Sequence, residues 1–124
     1  MNEILPNMNY LQEMKTQALV KFKENISNVG ALVALASISE DSDSFRDDII
    51  RNLKGAILYF LEYLALSVND YDKEKIYACK DALIKLFGYV SIYASDLTYS
   101  EILDICDRLA KTFNLINESD KSRS

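Results

Sequence analysis

The chain contains no histidine. That removes the commonest general base, the usual partner of a nucleophile and the commonest metal ligand. A serine or cysteine triad of the ordinary kind is excluded, as are the helical ribonucleases whose motif ends in histidine. Proline occurs once, at Pro6, so nothing after it forbids helix. The three glycines, Gly30, Gly55 and Gly88, fall inside helical patterns, and no phosphate-cradling glycine loop is present. Two cysteines in 124 residues do not make a disulfide framework. Bases are the scarcer charge: 14 Lys and Arg against 19 Asp and Glu give a net charge of −5, which disfavours free-standing binding to nucleic acid. Strand signals are also missing, with no β-branched alternation and no Asn-Gly or Asp-Gly turn.

Long apolar runs are absent too. The most apolar stretch, residues 56–68, contains Glu62 and falls short of the roughly 20 residues a membrane-spanning helix needs. The first nine residues lack the basic start and long apolar run of a signal peptide. A cytoplasmic protein without a membrane partner is the expectation.

What is present is one spacing, repeated. Apolar residues three and four apart fall on one face of a helix. Ile50, Leu53, Ile57, Phe60 and Leu64 make one such stripe. Ile76, Cys79, Leu83, Leu86, Val90 and Tyr93 make a second, and Tyr99, Ile102, Cys106, Leu109, Phe113 and Ile116 a third. Stripes on helices joined by short connections must pack together. The expected fold is therefore all-α, a compact four- or five-helix bundle, mainly antiparallel. It forms a single domain over 1–117, followed by a polar, flexible tail over 118–124.

Upstream, Leu11, Met14, Ala18, Phe22 and Ile26 mark a helix over about 9–25. Ser27 and Asn28 offer a break and a new N-cap before an apolar segment over 29–38, although the spacing also continues through Val29 and Val33. The acidic, serine-rich stretch 39–44 reads as a loop, with Ser44 capping the next helix and Asp47 near the place of a capping box. A tight connection over 69–72 should cap the following helix through Asp70 or Asp72. Thr98 followed by Glu101 makes the clearest capping box and opens a last helix ending near Asn117. The last three helices are expected to form an up-down-up centre, with Gly88 in close contact at the height of Cys106.

No constellation carries catalysis. In a hairpin turning near Leu97, Cys79 and Cys106 lie roughly 13 Å apart along the axis at ~1.5 Å per residue, too far for a disulfide, so both read as small buried hydrophobes. The acids Glu40, Asp41, Asp43, Asp47 and Asp48 fail the calcium-loop pattern: counted from Asp41, its sixth and twelfth places hold Arg46 and Asn52. Glu62 should point to solvent or pair with a base. No catalytic residue, cofactor, metal ligand or small-molecule substrate is assigned.

The functional signal is a second apolar face. Tyr59, Tyr63 and Leu66 lie opposite the main stripe of their helix, and Tyr77 and Ile84 form an off-stripe pair on the next. Either neighbouring helices cover Tyr59, Tyr63 and Leu66, or the face meets a partner, as exposed tyrosine-rich patches do. The expected function is a non-catalytic protein-interaction module (small subunit, adaptor or inhibitor) binding a protein partner or a second copy of itself through these five residues. The alternative is a structural subunit of a nucleoprotein assembly, with Lys73, Lys80, Arg51 and Lys54 against nucleic acid inside a larger complex. In size and helicity the chain resembles the small helical subunits of CRISPR effector complexes. That likeness of architecture implies such a role, or the inverse one of an acidic phage-type inhibitor using the Glu40–Asp48 run.

Overall fold

The computed structural model describes residues 4–67 and 73–123, and among them every regular element is helical. Helix α1 spans Ile4–Ile38, a 3₁₀ turn covers Ser42–Phe45, and α2 spans Arg46–Leu66. Helix α3 spans Lys73–Ile92 and α4 spans Tyr99–Arg123. The fold is an all-α bundle of four helices, as the apolar spacing predicts.

Helix α2 is the centre. Its stripe residues Leu53, Ile57, Phe60 and Leu64 are fully or almost fully buried. Every other helix packs on it. Against α1 it runs antiparallel: Asn28 faces Asn52, Phe22 faces Phe60 and Lys15 faces Tyr63. Against α4 it runs parallel, with Phe60 beside Phe113 and Tyr63 beside Asn117. Against α3 it runs antiparallel, with Lys54 over Phe87. At the middle of the bundle, Phe22 stacks on Phe113 at 4.3 Å between ring centroids and Phe60 meets both rings edge-on.

Several expectations change. There is no break at Ser27 and Asn28: α1 is one helix of 35 residues. Both side chains are exposed, and Asn28 donates to Asn52 Oδ1 across to α2 at 3.1 Å instead of capping a new helix. Val29, Val33 and Ala36 continue the buried face begun by Ala18 and Phe22, and that continuity outweighs the weak local break signal. Ser44 is not a cap. Its hydroxyl donates to the Asp41 carbonyl at 2.8 Å inside the 3₁₀ turn, and α2 begins without a side-chain cap. The Thr98–Glu101 box is formed: Thr98 Oγ1 accepts from the Glu101 N–H at 3.1 Å, and Glu101 Oε1 accepts from the Thr98 N–H at 3.2 Å. Helix α4 continues past Asn117 to Arg123. The connection over 69–72 and its cap lie outside the described residues.

The up-down-up centre is also rearranged. No Cα of α3 comes within 8 Å of one in α4 or α1 among the described residues. Gly88 has open space where a Cβ would stand, so the expected close contact there is not made. The glycine set against a neighbour is Gly55, whose Cβ position lies 3.1 Å from the Asn25 side chain on α1.

The capped end of the bundle is tied by one arginine. Arg46 Nη1 donates to the carbonyls of Ala94 at 3.0 Å and Leu97 at 2.9 Å, where the α3–α4 connection leaves acceptors free. Its guanidinium lies over the Tyr99 ring, and the Tyr99 hydroxyl donates to the Ser42 carbonyl at 2.9 Å.

Candidate interaction face on helix α2

The five residues assigned to partner binding separate into groups. Tyr63 is 2 % exposed. Its ring packs 4.7 Å from Phe113, its hydroxyl donates to Asn117 Oδ1 at 3.0 Å, and the buried Lys15 ammonium sits over its face at 5.3 Å. Tyr63 is thus covered by α1, as one of the two expectations had it, and also by α4, and its side chain is not accessible to a partner in the folded chain. Leu66 is half-buried at the end of α2, and Tyr59 is half-buried in its middle. Tyr77 and Ile84 stand out from α3 at 53 % and 51 % exposed.

Their separation follows from helical phase. Position 63 lies toward α1 and α4, whereas positions 51, 54, 58, 62 and 65 turn away from the core. This outer ridge carries Leu58, 51 % exposed, which the stripe pattern does not single out. The signal for it exists: Leu58 is four residues after Lys54, four before Glu62 and seven before Ala65, one continuous face.

Two depressions that share Glu62 follow the ridge. One, of about 610 Å³, is bordered by Arg51, Lys54, Leu58, Tyr59, Glu62 and Phe87. The other, of about 400 Å³ between α2 and α3, is bordered by Leu61, Glu62, Ala65, Tyr77, Lys80 and Ile84. Glu62 belongs to both and is exposed. Tyr59, Tyr77 and Ile84 are thus brought to one side of the molecule. Of the basic residues considered for nucleic acid, Arg51, Lys54 and Lys80 border the same depressions, and Lys73 is exposed at the start of α3. Arg51 is engaged by Asp48 at 3.0 Å.

Both cysteines are free. Burial pushes the Cys106 thiol up to about 11 and raises Cys79 as well, so both are protonated at neutral pH, the opposite of an activated nucleophile. No buried side-chain nitrogen or oxygen among the described residues lacks a hydrogen-bond partner. No group of three or more Cys, Asp or Glu among them is placed to hold a metal ion. On α4, Asp104 and Asp107 point outward and pair with bases one turn on, Arg108 and Lys111. Among the described residues no helix is long and apolar enough to cross a membrane.

No protein-family model, curated protein or solved structure matches the chain.

Proposed function

We propose that this chain is a non-catalytic protein-interaction module, a small subunit, adaptor or inhibitor, that docks through the outer ridge of α2 and the adjoining groove to α3. The observation that carries this is the exposure of Leu58, Tyr77 and Ile84 around two depressions that share Glu62. Large apolar side chains gathered with tyrosine and flanking charge are the usual composition of a binding patch. The two protonated thiols and the lack of histidine support a role without chemistry. Free thiols also suit a reducing compartment, so the cytoplasm is the proposed location.

The test compares tagged wild type with a Leu58→Asp/Ile84→Asp variant, both recovered from the native host. A folded variant, with its helical circular dichroism unchanged, should lose proteins that the wild type retains. Identical sets of bound proteins would remove this face from consideration.

A second reading has its own observation: Arg51, Lys54 and Lys80 border the same depressions as Tyr59 and Tyr77. Bases interleaved with aromatics are how helical subunits line nucleic acid inside larger complexes. Binding of a single-stranded oligonucleotide that weakens steeply with added salt would favour it over the protein partner.

A further inference from the structure

We infer that the occupant of the α2 ridge is a second copy of this chain, packed two-fold symmetrically with its α2 antiparallel and Leu58 on the axis. This rests on the proposal that the ridge is an interface and names the partner. A two-fold contact brings the same patch of both copies together, so the patch must complement itself. About Leu58 it does. Lys54 stands one turn before it and Glu62 one turn after. In an antiparallel contact centred on Leu58, residues equidistant from that centre lie at one level. Lys54 of each copy is then set against Glu62 of the other, and the aliphatic stem of Arg51 against the small, exposed Ala65.

Among the described residues neither central charge has an ionic partner. Glu62 makes no ion pair among the described residues, and Lys54 rests over the Phe87 ring at 5.2 Å without a carboxylate. Some other helical charges are paired within one turn, Asp48 with Arg51, Asp104 with Arg108 and Asp107 with Lys111. One acid and one base left open on opposite sides of an apolar centre suit a partner carrying the reverse order, and an inverted copy of the same ridge carries it. A partner of single sign, a nucleic acid above all, meets like charge at one of the two positions. Ile84 and Tyr77 extend the apolar seam along α3.

The test is sedimentation equilibrium of the purified full chain at low salt. Wild type should dimerise. Lys54→Glu and Glu62→Lys should each weaken the dimer by about tenfold or more, since each single change places two like-charge pairs across the axis. Lys54→Glu combined with Glu62→Lys should recover the wild-type constant to within about threefold, because the reversed pairs are again opposite in sign. Leu58→Asp should leave monomer. Should Lys54→Glu disturb helicity, Lys54→Gln and Glu62→Gln carry the same test with smaller losses. A chain that stays monomeric at all concentrations, singles without effect, or a double variant no better than its parents each overturns the inference. If the chain is monomeric yet the Leu58→Asp/Ile84→Asp variant loses proteins in the native host, the interface proposal stands and only the identity of its partner falls. If neither measurement responds, both fall.

Discussion

Phe60 has two different surroundings. On one side Phe22 and Phe113 close around it, with Tyr63 on the Phe113 ring, and the four ring contacts have centroid separations of 4.3 to 5.5 Å. On the other side α3 and α4 stand apart, and Phe60 forms the floor of a cleft of about 210 Å³ walled by Cys79, Leu83, Leu86, Ile105 and Leu109. The stripes of α2, α3 and α4 obey one spacing rule, yet α1, α2 and α4 interdigitate aromatic rings while α3 leans on α2 alone. The difference lies in side-chain reach. Rings from three helices fill the space between axes, whereas the leucines and the thiol facing one another from α3 and α4 do not span theirs. Spacing tells which face of a helix is buried; the size of the side chains on it decides how closely the next helix comes.

The contrast predicts unequal costs for equal truncations. Phe113→Ala removes the ring that Phe22, Phe60 and Tyr63 all touch and should destabilise by about 3–5 kcal/mol. Leu83→Ala, in the wall of the cleft, should cost nearer about 2 kcal/mol, the low end for a buried leucine, because part of its surroundings is already open. Urea unfolding with an unchanged slope measures both. Equal losses would mean that the two sides of Phe60 are equally well packed.

Next in size is the tie between the start of α2 and the α3–α4 connection. Arg46→Ala frees two carbonyls, those of Ala94 and Leu97, and strips the cation from the Tyr99 ring. Charged hydrogen bonds of this kind support a loss of about 2 kcal/mol. Because α3 lacks close backbone contact with α1 and α4, hydrogen exchange in α3 should accelerate more than in α1. A uniform acceleration would show that the tie is not specific to α3.

Below that lies a pair of caps. Thr98→Ala should cost about 1 kcal/mol, since Thr98 accepts from the Glu101 N–H. Ser44→Ala should cost less, because Ser44 bonds a loop carbonyl and caps nothing. Thermal unfolding ranks the two, and the reverse order would restore Ser44 as a cap.

Those two positions also show what could be read without coordinates. Thr98 and Glu101 satisfy each other within four residues, so the sequence pattern alone suffices. Ser44 has the right neighbours, but the chain takes a 3₁₀ turn there, and the tie from Tyr99 to the Ser42 carbonyl comes from far along the chain. Most of each buried stripe, the helical class and the last helix start were legible because each depends on local periodicity, although Tyr93, set on the second stripe, stands exposed just past the end of α3. The unbroken α1 and the burial of Tyr63 were not, because both depend on which helix lies opposite. Of the proposed face, Tyr59, Tyr77 and Ile84 are legible as apolar residues off the stripe. Leu58 is not, because it stands singly among charges, and the proposed role rests on Lys54 and Glu62 beside it.

The smallest effect is a gain. Cys79 is half-buried and lines the cleft, so Cys79→Leu adds apolar volume where space exists and replaces a residue of modest helix propensity by a strong helix former. Stability should rise by about 0.5–1 kcal/mol, in the range of cavity-filling changes. The matched change on the other side, Ala56→Leu, enters a position with no exposed surface and should cost about 1–3 kcal/mol through overpacking. The two substitutions install the same side chain on neighbouring helices, so their difference in sign isolates packing from hydrophobicity. Urea midpoints that fall for both would mean that α3 and α4 close over the cleft in solution, and the asymmetry around Phe60 would vanish with it.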